Sequence, residues 1–226
     1  MEIKSEKQAK KKLLLIGGGG HCRVVLDSVI NGALYDELGY DELGIVDYVQ
    51  HSYFGVSVIG TDEDIPELIK DGWTHAMITV GSIGTDERRR KLYELAKKNG
   101  LIIATVIDPT AVVASDVMVK EGSYVGKRAI LNSGTTVGLC SIINTGAIVE
   151  HECQIGEFAH VSPGSILCGQ VEIGKGTHVG AGSVVKQQIR IGEHSMIGAG
   201  SVVVDDIPER VCAFGNPCRV VKLWES

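Results

Sequence analysis

Seventeen aliphatic residues at an unbroken spacing of six constrain this chain more than any other feature of its sequence. From Ile107 they run through Val113, Val119, Val125, Leu131, Val137, Ile143, Val149 and Ile155. They continue through Val161, Leu167, Ile173, Val179, Val185, Ile191, Ile197 and Val203. A period of six fits neither a helix turn nor the alternation of an isolated strand. It is the period of hexapeptide repeats, which wind into parallel β-helices. Three hexapeptides close a triangular coil, so residues 18 apart stack, and the seventeen repeats make between five and six coils. Four residues after each aliphatic the chain is often small or β-branched, as at Ala129, Thr135, Ser141, Ala147, Cys153 and Ser165. Directly after the aliphatic it is often glycine, as at Gly126, Gly138, Gly156, Gly174, Gly180, Gly192 and Gly198. Glycine there is expected to free the backbone at each corner.

The first hundred residues follow a different rhythm. Residues 13–16 read as a short buried strand, and four glycines, Gly17 to Gly20, lead into a helix carrying Val24, Val25 and Val29 at helical spacing. Further strands are expected at 43–46, ending in Asp47, at 56–59, at 76–80 before Gly81, and at 101–107. Helices are expected over 62–70 and 85–99, the second stopped by Gly100. Strand–helix alternation with glycine after the first strand indicates a small Rossmann-like parallel α/β domain. The chain therefore divides into a basic N-terminal tail (1–12), an α/β domain (13–106), a β-helix (107–207) and a C-terminal tail (208–226).

Charge and composition remove several functions. A net charge of −6 argues against a general nucleic-acid binder. No apolar run is long enough to span a membrane, and the charged start is unlike a signal peptide. Six cysteines without a CxxC pair read as reduced thiols of a cytoplasmic protein. A γ-type carbonic anhydrase, built on the same helix, would need two zinc-binding histidines five residues apart. No two of the seven histidines have that spacing, so no metal is expected. The glycine loop lacks the third glycine of a dinucleotide fingerprint, where Cys22 stands, and so small an α/β part leaves no room for a dehydrogenase's own substrate domain.

Several segments resemble one family. They are residues 14–28 with Gly17-Gly18-Gly19-Gly20-His21, 45–47 with Asp47, 80–89, 143–162 with Glu150-His151-Glu152-Cys153, and 214–219 with Asn216-Pro217. Together they resemble the PglD/NeuD-type sugar acetyltransferases over nearly the whole chain beyond its first dozen residues. The resemblance implies a homotrimer of left-handed β-helices, with acetyl-CoA in the groove between neighbouring helices and a sugar nucleotide on the first domain. In the PglD branch the acceptor is the 4-amino group of a UDP-sugar of bacillosamine type, used in bacterial glycan biosynthesis; this is the expected activity, by direct transfer. In the NeuD branch it is a hydroxyl of sialic acid, which is the alternative. A non-catalytic scaffold that binds sugar nucleotides is a further one.

The resemblance also assigns residues. His151 is the general base and Glu152 raises its basicity, since a carboxylate beside an imidazole fixes its tautomer and favours proton uptake. His160 contacts acetyl-CoA. His178, 18 residues on, is expected to stack on it and to be structural. Gly169, Ala181 and Ala199 are expected to offer exposed backbone to the cofactor groove, with Gly180, Gly198 and Pro217 beside them. Asn144 is expected to bond the acceptor, to orient His151, or to cap a corner. On the first domain Gly19, Gly20 and His21 form the substrate loop, where a helix N-terminus can present N–H groups to phosphate. Asp47 is placed to accept from a ribose or base, Tyr48 stands where the PglD branch has a second Asp, and Gly81 completes the rim. Arg88, Arg89 and Arg90 read as a solvated helix face rather than as phosphate ligands.

Overall fold

The computed structural model describes residues 11–31, 39–81 and 83–224. Its first domain is a six-stranded sheet ordered β3-β4-β2-β1-β5-β6. The strands are β1 (Lys11–Ile16), β2 (Tyr40–Val46), β3 (Ser52–Tyr53), β4 (Val56–Gly60), β5 (His75–Ile78) and β6 (Ile102–Ile103). All neighbours pair in parallel except β3, which runs antiparallel to β4. β1 is central, and Leu13, Leu14, Leu15 and Ile16 are fully buried, as a strand covered on both faces requires. It begins at Lys11, so the last two residues of the expected basic tail are strand; the rest of that tail lies outside the described residues.

Among the described residues three α-helices connect the strands: α1 (Gly20–Asn31), α2 (Ile65–Lys70) and α3 (Glu87–Lys98). The helix expected over 62–70 is divided. Asp64 Oδ2 accepts from Thr61 N at 2.8 Å and Thr61 Oγ1 at 2.9 Å, closing a 3₁₀ turn over Asp62–Asp64 before α2 starts near Pro66. The strand expected over 101–107 is divided as well. β6 ends the α/β sheet, and Val106–Ile107 pairs instead with Tyr124–Val125 in the second domain.

That second domain is the expected hexapeptide β-helix. Two-residue strands stack in parallel columns of six, six and five, each strand pairing with the one 18 residues on, as Ile142↔His160 and Ile148↔Ile166; the terminal hairpin extends the first column to a sheet of eight. The sheets are the faces of a triangular prism. Its first edge, between the eight- and six-stranded sheets, carries residues such as 144–147; its second edge carries 150–153; its third carries 156–159. From Val125 to Val203 every residue of the sixfold lane is at most 3% exposed, while Ile107, Val113 and Val119 at the open end are partly buried. Burying each such side chain contributes about 1.5–3 kcal/mol.

Glycine acts differently from the expectation. The left-handed backbone conformation falls three residues after each aliphatic, in every repeat from Gly122 to Gly200, and seven of those fourteen positions hold side chains, among them Arg128, Cys140, Glu152 and Gln170. The glycines directly after the aliphatic keep ordinary φ. A Cβ on Gly156 would stand 2.6 Å from Lys175 N and 2.7 Å from Gly174 C, so these glycines let successive coils approach. The small lane supplies buried donors: Ser141 Oγ reaches Gly156 O at 2.7 Å, Ser165 Oγ reaches Gly180 O at 2.9 Å, and Ser183 Oγ reaches Gly198 O at 3.0 Å.

The C-terminal segment is structured. Val211–Gly215 joins the eight-stranded sheet beside Met196–Ile197, then folds back antiparallel as Cys218–Leu223. Trp224 Nε1 donates to Gly84 O at 2.8 Å, returning to the first domain. The junction also has a polar centre, where fully buried Asp108 accepts from Ser28 Oγ at 2.6 Å and Lys127 Nζ at 3.0 Å. Arg89 is not solvated: it is 2% exposed and donates to the carbonyls of Cys140 and Phe158 on the third edge.

Candidate active site

The predicted residues gather in three places. In the first domain, Gly17 to Gly20, His21, Asp47, Gly81 and Arg88 surround a cavity of about 380 Å³ at the C-terminal ends of β1, β2 and β5, where open α/β sheets bind ligands. Gly17 turns at φ +102°, and a Cβ on Gly18 would stand 2.6 Å from His51 Nε2 and 2.9 Å from Asp47 Cβ. Gly19 and Gly20 are exposed and meet nothing. They stand at the start of the twelve-residue α1, where the first N–H groups of a helix have no intrahelical partner.

Asp47 serves the loop itself. Its carboxylate accepts from Gly18 N and, at 3.0 Å, from Val49 N. Burial works to raise this carboxyl, but the Val49 and Gly18 amides outweigh it and hold it below the usual carboxylate range. His21 carries Nε2 shut off from solvent without a hydrogen-bond partner, its ring edge-on to Tyr124 with centroids 5.3 Å apart. Burial, reinforced by the Arg89 charge, pushes this imidazole down to about 4, so it is neutral near pH 7. Tyr48 is not part of the cavity wall: its hydroxyl turns away to Glu63 Oε1 at 3.0 Å.

The second group lies along the first edge and the adjoining face. Asn144 Nδ2 donates to His160 Nε2 at 3.1 Å, and its Oδ1 accepts from Thr145 N. Within one chain Asn144 therefore orients His160 and not His151. His160 pairs with His178 in register, their rings edge-to-face at 4.9 Å, and both are 8% exposed. Further along the same edge, Ala181 and Ala199 are exposed, with Gly180 and Gly198 stacked between coils behind them. Pro217 is exposed in the turn of the terminal hairpin.

The third group lies on the second edge. His151 Nδ1 is 3.1 Å from Glu152 Oε2, and both side chains are more than half exposed. A carboxylate only accepts, so Nδ1 donates to it and Nε2 is left facing away from the pair. Gly169, expected to offer exposed backbone, is buried under that ring: a Cβ there would stand 2.6 Å from His151 Cε1 and closer still to Nε2. Two residues were missed. Gln170 Nε2 donates to Glu152 Oε2 at 3.2 Å, and Gln188 Nε2 to Gln170 Oε1 at 2.8 Å. The successive spacing of 18 from Glu152 to Gln170 and from Gln170 to Gln188 was the available signal.

The cavity and the face are connected through one column of stacked residues. His21 touches Tyr124, and Tyr124, Ile142 and His160 succeed one another in register on the eight-stranded sheet. Two coil steps make about 10 Å at the ~4.8 Å spacing of neighbouring strands. Among the described residues no group of three or more His, Cys, Asp or Glu is placed to hold a metal, and no helix is long and apolar enough to cross a membrane.

Residues 12–96 match the PglD N-terminal domain family, and residues 152–187 and 170–205 match the bacterial transferase hexapeptide family. The chain is similar to PerB, a perosamine N-acetyltransferase from Caulobacter crescentus solved with CoA and GDP-perosamine. The two are 34% identical over 93% of this chain and 97% of that one, with a TM-score of 0.85. It is 31% identical to the acetyltransferase domain of PglB from Neisseria gonorrhoeae, solved with acetyl coenzyme A, over 94% of this chain and 100% of that one, with a TM-score of 0.85. WeeI from Acinetobacter baumannii, at 22% identity over 94% of this chain and 100% of that one, shares the fold with a TM-score of 0.77.

Proposed function

This chain belongs to the PglD-type hexapeptide-repeat sugar acetyltransferases, and from that premise we propose that it moves the acetyl group of acetyl-CoA onto the amine of a nucleoside-diphosphate-linked 4-amino sugar. The observation that carries the reading is the His151–Glu152 pair, seated over Gly169 on an exposed edge of the β-helix. His151 Nε2 takes a proton from the neutral amine as its nitrogen attacks the thioester carbonyl. A carbon–nitrogen bond forms, the carbon–sulfur bond breaks, and the departing sulfur takes the proton back from the imidazolium, so that CoA leaves as its thiol and His151 is neutral again. Glu152, held by Gln170, balances the imidazolium. Acetyl-CoA supplies the activated acyl group.

Two features support a site shared between copies of the chain. His151 and Gly169 lie on the second edge of the prism, whereas Ala181 and Ala199 lie on the first. One acetyl-CoA reaches His151 and both alanines when the first edge of one copy meets the second edge of the next, a head-to-tail contact that closes as a ring. A homotrimer satisfies it. The nucleotide then lies in the glycine-loop cavity, and its sugar extends from there toward Asn144 and the neighbouring His151.

The nucleotide has two readings. The PglD resemblance favours a UDP-4-amino sugar, and the GDP-perosamine complex of the 34%-identical PerB favours a GDP-linked one. A thiol-release assay tests both, using UDP-, GDP- and dTDP-linked 4-amino sugars with free and CMP-linked sialic acids. Turnover confined to one nucleotide-linked amine is the expected result. Efficient turnover of a sialic acid hydroxyl would overturn the amine reading, and no thiol release with any acceptor would favour a non-catalytic scaffold.

A further inference from the structure

The glycine-loop cavity is short of positive charge. Among the described residues that line it, Arg88 is the only cation, and Asp47 contributes a carboxylate. The next two residues of α3 are committed elsewhere: Arg89 to the carbonyls of Cys140 and Phe158, Arg90 to Asp86 and the face of Phe158 at 4.5 Å. Arg88 has only a loose partner. Its guanidinium is 3.7 Å from Asp62 Oδ2, too long for a hydrogen bond, with the Arg88 side chain 58% exposed and that of Asp62 18% exposed. Asp62 is itself in acidic company. Tyr48 bridges it to Glu63, donating at 3.5 Å and 3.0 Å respectively. Burial first, with the charges of Glu63 and Asp47 adding to it, keeps the Asp62 carboxyl above its ordinary value despite Arg88.

A diphosphate entering this cavity adds two negative charges to a wall that already carries Asp47, with Asp62 behind Arg88. Amides at the start of α1 offset part of that, and the exposed Arg88 guanidinium offers the bidentate contact that phosphate favours. An ion pair at 3.7 Å with its cation side exposed is easily given up. We propose that Arg88 is the diphosphate-binding side chain of this cavity, that Asp62 holds it away until a nucleotide arrives, and that Asp62 therefore sets nucleotide affinity through Arg88. The proposal rests on the nucleotide-sugar reading above and adds a residue and a restraint that the reading does not require.

Calorimetric titration of the full chain with UDP and GDP, and with uridine and guanosine as uncharged counterparts, tests it. For the preferred nucleotide, Arg88→Gln weakens diphosphate binding about 10- to 100-fold, the range for a charge-assisted contact. It leaves the nucleoside unchanged, and Arg88→Lys restores part of the loss. Asp62→Asn tightens diphosphate binding about 2- to 5-fold, the range for an exposed ion pair. That gain disappears in the double variant, because without Arg88 there is nothing to release. A gain that persists in the double variant would mean direct repulsion by Asp62 and would overturn the restraint. Unchanged diphosphate binding by Arg88→Gln would overturn the assignment of Arg88. A wild-type chain that binds neither diphosphate would overturn the nucleotide reading along with it, and so separates the two failures.

Discussion

The imidazole of His151 fills the space that a side chain at Gly169, one coil further along the β-helix, would occupy. Gly169 has ordinary φ, so alanine there strains no backbone and acts only by displacing the ring. Gly169→Ala is expected to lower kcat about 100-fold, the usual consequence of a catalytic group moved by about 1 Å. Melting temperature should change little. Steady-state thiol release beside thermal unfolding checks both, and unchanged kcat would mean that the ring position is unimportant.

The two classes of corner glycine should differ in their response to substitution. A Cβ at Gly156 meets the backbone of Lys175 and Gly174, whereas Gly164, at φ +67°, has nothing within 4 Å. Gly156→Ala is expected to cost about 1–3 kcal/mol through overpacking. Gly164→Asn should cost less than ~1 kcal/mol, since asparagine tolerates the left-handed region. Equilibrium denaturation of both variants makes the comparison, and a larger loss at Gly164 would reverse the assignment.

Acid should loosen the domain junction. Burial opposes ionised Asp108, but donors from Ser28, Thr110 and Lys127 outweigh it and hold the carboxyl at about 2, below its ordinary 3.8. A depressed value contributes stability that is complete above the unfolded-state value and is lost as pH falls through it toward 2. The contribution is about 2 kcal/mol. Asp108→Asn should remove it at neutral pH and flatten the dependence between about pH 5 and 2. Denaturant midpoints across that range, with the same slope in both proteins, would contradict the account.

Arg89 joins the domains through two β-helix carbonyls, those of Cys140 and Phe158, both on left-handed corners. Arg89→Met retains most of the apolar stem but leaves those acceptors without their donor, at a cost of about 1–3 kcal/mol. A denaturant titration reads the loss, and stability equal to wild type would show that the contacts are dispensable.

The β-helix was legible because its core is a single lane: one rule, applied every sixth residue, names side chains that the structure buries. The roles of the glycines were not, because period alone cannot tell a residue that needs left-handed φ from one that needs its neighbour close. A second sixfold set, Gly122, Gly134, Gly146, Gly164, Gly176, Gly182 and Gly200, carried that information at a different phase. Arg89 was legible in principle, since it falls on the same α3 face as buried Leu92 and Ala96, but a run of three arginines reads as solvent-facing when taken by composition. At the candidate site, the resemblance named His151 and Glu152 as the catalytic pair and Gly169 with Ala181 and Ala199 for the cofactor groove. Only stacking into a prism shows that Gly169 lies under His151 while Ala181 and Ala199 occupy another edge. The bond from Asn144 to His160 depends on neighbouring coils and is visible in no short stretch of sequence.

The most direct measurement is thiol release by His151→Ala, with acetyl-CoA and the preferred nucleotide-linked amino sugar both saturating. Loss of a general base predicts a fall in kcat of about 100- to 10,000-fold, with acetyl-CoA affinity and a particle mass near three times the 24.1 kDa chain both retained. Wild-type turnover by His151→Ala would contradict the account.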